Sequence, residues 1–122
     1  MKLLIVDDST MLRDMLSYAL NEGGYTDVTE AVDGVDGLEK AKKITYDLII
    51  SDVNMPNMDG ITMVSEVRKL PQYSKIPILV LTTERGDDIK AQGKTAGATG
   101  WIVKPFVPDQ LLKAVNIVLS RK

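Results

Sequence analysis

The chain has 122 residues, the length of one domain, and its 44% hydrophobic and 26% charged content is that of a globular protein able to fold without metal or disulfide. Fifteen basic against seventeen acidic residues leave a net charge of −2, so the basic excess of a nucleic-acid binder is absent. Cysteine and histidine are both missing, which excludes disulfides, thiolate nucleophiles, iron–sulfur clusters and a Ser-His-Asp triad.

Leu3–Val6 is a continuous apolar run, the pattern of a strand covered on both faces. Too few residues precede Asp7 for a signal peptide, and neither this run nor Ile76–Leu81 can span a bilayer. The protein therefore reads as cytoplasmic, with no membrane partner. Ser9 or Thr10 can cap a helix whose stripe is Met11, Leu12, Met15, Leu16, Ala19 and Leu20, ended by Gly23-Gly24. Val28–Val32 is a polar-interrupted strand near an edge. The next helix, about Val35–Lys43, turns Val35, Leu38 and Ala41 inward. Asp47–Ser51 is the third strand, and 54–60 is a loop holding Pro56 and Gly60. Ile61, Val64 and Val67 share one side of the following helix, and Pro77–Leu81 is the most apolar strand. Asp87–Ala96 is a weak helix interrupted by Gly93, with Ile89 as its one large apolar residue. Trp101–Val103 is the fifth strand. Pro108 suits the first turn of a last helix striped by Leu111, Leu112, Val115, Val118 and Leu119. Val107 cannot cap it, at a cost of about 1 kcal/mol, which Asp109 partly offsets through the helix dipole.

Five strands alternating with five helices imply an α/β domain with one parallel sheet covered on both faces. Right-handed crossovers then bring all strand C-terminal ends to one rim, where ligands bind in such folds. That rim collects Asp7-Asp8 from strand one, Asp52 from strand three, Thr82-Thr83-Glu84 from strand four and Lys104-Pro105 from strand five. Taken singly, each is ordinary turn, cap or surface chemistry. Together, three carboxylates repel one another unless a cation compensates, and oxygen ligands without His or Cys suit Mg²⁺. Repulsion predicts that the metal-free protein is destabilised, that Asp8→Ala abolishes Mg²⁺ binding, and that Asp52→Asn raises metal-free stability.

Val6-Asp7-Asp8, Ser51-Asp52-Val53-Asn54-Met55-Pro56 with Asp59-Gly60, Leu81-Thr82-Thr83 and Lys104-Pro105-Phe106 stand in the order and spacing of a known family. The chain resembles, along its whole length, the receiver domain of two-component response regulators, and within it the stand-alone chemotaxis regulators of the CheY type. The resemblance implies a doubly wound (βα)5 domain with strand order 2-1-3-4-5, a known property of CheY carried over here as such. It implies that Asp52 is the phosphoacceptor, taking a phosphoryl group from a phosphohistidine on a sensor histidine kinase. It implies Mg²⁺, for which Mn²⁺ could substitute, held by Asp8, Asp52 and the backbone carbonyl of Asn54, with Asp7 acting through water. Lys104, Thr82 and Thr83 would bind the phosphoryl group, Thr83 standing where the family favours a smaller residue and narrowing access. Lys104-Pro105 is commonly cis in the family, which would hold the ammonium over the site.

The resemblance also implies a switch. Thr82 moves toward the phosphoryl group, and the aromatic three residues before the Lys, here Trp101, turns inward where Tyr or Phe is commoner. Asn54 and Glu84 occupy the two positions that tune dephosphorylation. The switching face would be the fourth helix, fifth strand and fifth helix, with Lys90, Lys94, Trp101 and Lys113 on it. Its expected partner is a downstream protein such as a flagellar motor or other motility component, and a phosphatase is a further expected partner. The protein would be a monomer, with residues 1–122 forming one receiver domain without an output domain, and would act on nothing beyond its own phosphorylation and dephosphorylation. A fragment of a larger regulator, or a receiver-like scaffold, would share the sequence. A haloacid dehalogenase-type phosphatase needs a second Asp two residues after the nucleophile, where Asn54 stands. A flavodoxin would need a phosphate loop after strand one, where Asp7-Asp8 would repel it.

Overall fold

The computed structural model describes residues 1–83 and 87–120. Its elements run β1 (Lys2–Val6), α1 (Thr10–Glu22), β2 (Asp27–Ala31), α2 (Gly34–Lys43), β3 (Leu48–Asp52), α3 (Gly60–Arg68), β4 (Ile78–Thr82), α4 (Asp87–Ala96), β5 (Gly100–Val103) and α5 (Pro108–Ser120). All strand pairs are parallel, in the order β2-β1-β3-β4-β5. This is the expected α/β topology. A short 3₁₀ turn at Pro71–Tyr73, which the sequence reading did not anticipate, buries Tyr73 beneath the sheet's far end.

Alternation along the buried strands divides the core in two. Leu3, Ile5, Leu48, Ile50, Leu79 and Leu81 face α1 and α5. Their neighbours Leu4, Val6, Ile49, Ile78 and Val80 face α2 and α3. Successive strand side chains point to opposite faces, so an unbroken apolar run serves both layers. Full burial of each such side chain contributes about 1.5–3 kcal/mol. β2 lies at the edge, as its polar interruptions require.

Two helices bury most, but not all, of the stripe expected. In α1, Leu16, Ala19 and Leu20 are buried, but Met11 is 72% exposed and Met15 is also exposed. The helix rests on the sheet along one side only, and the inward arc is centred closer to Arg13. That guanidinium is buried because it has partners: Nη1 donates to the Asp7 carbonyl at 2.5 Å, Nε to Glu30 Oε1 at 3.1 Å and Nη2 to Thr10 Oγ1 at 3.2 Å. In α2, Val35 is exposed, while Gly34, Gly37 and Ala41 are buried. A Cβ at position 37 would lie 2.8 Å from Met63 Sδ and 3.0 Å from Val6 Cγ2, so small residues form the contact face together with half-buried Leu38, while Val35 turns out. No helix among the described residues is long and apolar enough to cross a membrane.

Candidate functional site

Strand register builds the site. Val6 pairs with Ser51 and Asp52 with Leu81, so Asp7 stands level with Asp52 at the end of the sheet. Thr82 pairs with Val103, and the Lys104 amide donates to the Thr82 carbonyl at 2.7 Å, carrying Lys104 round to the same rim. The Lys104–Pro105 peptide is cis. Asp7, Asp8 and Asp52 each offer a carboxylate oxygen within 4.8 Å of the others, with Asp7 and Asp52 buried and Asp8 exposed.

Among the described residues, one ammonium faces this cluster. Lys104 Nζ lies 2.9 Å from Asp52 Oδ1 and 3.8 Å from Asp7 Oδ2. Asp52 Oδ1 also accepts from the Val53 amide at 2.9 Å. Asp7 Oδ1 accepts from the Ser9 amide at 2.8 Å, but its buried Oδ2 has no hydrogen bond. Burial pushes the Asp7 carboxyl above the usual aspartate range; the Ser9 amide opposes this, Asp52 adds to it, Lys104 opposes it and Asp8 adds a little. Among the described residues, an orphaned buried carboxylate oxygen, three acidic groups against one ammonium, and a donor set made only of oxygen together fit a hard divalent cation.

The remaining sequence-predicted residues lie around this cluster or away from it. Thr82 is buried at the end of β4, and Thr83 after it is exposed. Asn54 is exposed on the segment between β3 and α3. Trp101 is half-buried on the α2–α3 side of the sheet, packed against that core, with Lys90 Nζ 5.2 Å from its ring centroid. Between Thr82 and Trp101 lies a cavity of about 10 Å³, bounded also by Ile61, Val80, Ile89 and Gly93. Glu84 lies outside the described residues.

Two residues support the site, Arg13, which the sequence reading missed, and Gly60, which it named only as part of a motif. Arg13 holds the carbonyl of Asp7 from beneath, and an Arg inside an apolar helical stripe was its signal. Gly60 follows the α3 cap Asp59, whose Oδ1 accepts from the Thr62 amide at 2.8 Å. A Cβ on Gly60 would lie 2.0 Å from the Asp52 carbonyl oxygen, so only glycine lets α3 start against the end of β3.

Comparison with known proteins gives the same picture. The chain is 40% identical to chemotaxis protein CheY1 of Helicobacter pylori over 121 residues, covering 98% of each. Its structure superposes on Vibrio cholerae chemotaxis protein CheY4 with a TM-score of 0.91 at 51% identity, covering 96% of this chain and 97% of that one. It also superposes on the receiver domain of a sensor histidine kinase from Pseudomonas aeruginosa, solved with magnesium coordinated in its active-site cleft. That match has a TM-score of 0.90 at 25% identity, covering 98% of this chain and 97% of the other. The family model for the response regulator receiver domain matches residues 3–116, and with the topology and the acidic rim this settles the family: the chain is a member of the response regulator receiver domain family.

Proposed function

We propose that this receiver is a phosphorylation switch of the CheY type, in which Asp52 takes a phosphoryl group from a phosphohistidine on a sensor histidine kinase. The observation that carries this reading is the pairing of Asp52 with Lys104 at 2.9 Å inside a cluster with two further carboxylates. An Asp52 carboxylate oxygen attacks phosphorus as the P–N bond to the histidine breaks, and the imidazole takes the bonding pair. Phosphoryl transfer needs in-line placement and cationic groups at the equatorial oxygens. Lys104, held at the rim by the Thr82 carbonyl, moves its ammonium from the carboxylate to a phosphoryl oxygen. The Thr82 hydroxyl hydrogen-bonds a second oxygen, and exposed Thr83 borders the entry. Mg²⁺ would be held by Asp8, Asp52 and the Asn54 carbonyl, with Asp7 acting through water, and would supply charge neutralisation at the phosphoryl group. Asn54 and Glu84 tune the attack of water on the acyl phosphate.

The product carries about −1.5 to −2 of new charge. Thr82 responds and alters the packing beneath Trp101, which changes the face formed by α4, β5 and α5. That face then binds a downstream protein, of the motility class by likeness to the chemotaxis relatives. The test is phosphotransfer from the sensor kinases of the host to the protein and to Asp52→Asn in the presence of Mg²⁺. Label should appear on the wild type alone; label of equal intensity on Asp52→Asn overturns the assignment.

A further inference from the structure

Asn54, whose carbonyl the cation site uses, lies on an irregular segment between the end of β3 and the start of α3. A backbone carbonyl faces a cation only when the peptides around it are fixed. At the far end, the Gly60 amide donates to the Val53 carbonyl at 2.8 Å, folding the segment back on its own start. In its middle the chain turns at Asn57, whose φ of 69° is the sole positive value among the described non-glycine residues. Asparagine tolerates this left-handed region better than most residues.

That turn is tied to the β2–α2 connection by two bonds. Asn57 Nδ2 donates to Asp33 Oδ2 at 2.7 Å, and the Gly34 amide donates to the Met58 carbonyl at 3.2 Å. A Cβ at position 34 would lie 2.4 Å from that same carbonyl, so the approach needs glycine. The other Asp33 oxygen caps α2 by accepting from the Asp36 amide at 2.8 Å, which anchors the tie to a helix. The Asp36 amide, and after it the Asn57 side chain, hold the Asp33 carboxyl below the usual aspartate range, so it is an ionised acceptor at neutral pH.

We propose that Asp33, Gly34 and Asn57 form a clamp that positions the Asn54 carbonyl, making the β2–α2 connection part of the cation-binding apparatus although it contributes no ligand. This inference rests on the cation site described under Proposed function. Residues that orient metal ligands commonly change affinity by about 10-fold or more when altered, and an exposed hydrogen bond belongs at or below the low end of that range.

The test is calorimetric titration of the metal-free protein with Mg²⁺, with thermal midpoints measured in chelator. Asn57→Gly keeps the left-handed turn but removes the amide, and Asn57→Ala removes both. The exchange D33N/N57D restores an amide–carboxylate bond at unchanged net charge. Asn57→Gly should bind Mg²⁺ about 5-fold more weakly and Asn57→Ala about 10-fold more weakly, while the exchange returns to within about 2-fold of wild type. The midpoint of Asn57→Gly in chelator should match the wild type, which separates positioning from a loss of stability. If Asn57→Ala fails to fold, Asn57→Gly and the exchange decide. Unchanged affinity in Asn57→Gly, or no recovery in the exchange, overturns the clamp; loss of binding in Asp8→Ala then shows that the cation site itself stands. A wild-type protein that binds no Mg²⁺ overturns both.

Discussion

Neutralising Asp7 should stabilise the metal-free protein, whereas neutralising Asp52 should leave it nearly unchanged. At an effective dielectric constant of 20, the 2.9 Å pair of Lys104 with Asp52 is worth about 5.7 kcal/mol and the 3.8 Å pair with Asp7 about 4.4 kcal/mol. Carboxylate pairs no more than 4.8 Å apart repel by at least about 3.5 kcal/mol on the same scale, and by less where Asp8 faces solvent. Asp52→Asn removes repulsion from Asp7 and Asp8 but also the closer Lys104 contact, and these nearly cancel. This revises the expectation from repulsion alone, which placed the stabilisation at Asp52. Asp7→Asn loses the weaker ammonium contact, sheds two repulsions and removes a buried charge, while its Oδ1 can still accept from the Ser9 amide. A net gain of about 1 kcal/mol corresponds to roughly 4 °C in midpoint for a chain of this size. Thermal and urea melts in chelator and in millimolar Mg²⁺ provide the assay. Mg²⁺ should raise the wild-type midpoint and raise that of Asp7→Asn less. The pH dependence has a definite sign. Because the folded-state pKa of Asp7 is raised, its stabilising contribution is fully present below about 3.9 and is lost as pH rises through the raised value. The advantage of Asp7→Asn in chelator should therefore shrink on acidification through that window. A variant less stable than wild type in chelator at neutral pH, or one stabilised by Mg²⁺ as strongly as wild type, would refute the argument.

Gly60→Ala forces a Cβ to within 2.0 Å of the Asp52 carbonyl oxygen and should cost about 3 kcal/mol in urea unfolding while weakening Mg²⁺ binding. Tyr73→Phe strands the Tyr46 amide, 3.1 Å from the Tyr73 hydroxyl, together with the Ala41 and Ile44 carbonyls, and should cost about 2 kcal/mol with the acidic site untouched. Beryllofluoride with Mg²⁺ should change Trp101 emission, and Thr82→Ala should abolish the change. A cavity of about 10 Å³ admits at most one water, not an indole, so α4 must shift with the ring and its amide exchange must change in step. A Trp101 response with unaltered exchange in α4 would contradict that coupling.

The layered α/β architecture was readable in the sequence because its signals are local. Runs such as Leu3–Val6 and Ile76–Leu81 mark buried strands, and Asp7, Asp52, Thr82 and Lys104 each follow or end one, so parallel topology alone gathers them at one rim. Helix orientation was less readable. Met11 and Met15 satisfy an apolar stripe as well as Leu16 and Leu20 do, and Val35 is more apolar than Gly37. Which arc meets the sheet depended on the partners of Arg13 and on the close approach of Met63 and Val6 to Gly37. The tie between Asp33 and Asn57 spans 24 residues and joins a helix cap to a loop turn, so no periodicity announces it. The balance of charge at the rim was likewise a tertiary matter. The composition of the cluster predicts repulsion, but Coulomb energy varies inversely with separation, and only the folded chain sets Lys104 at 2.9 Å from Asp52 and 3.8 Å from Asp7, which is why the expected burden on the metal-free state falls on Asp7.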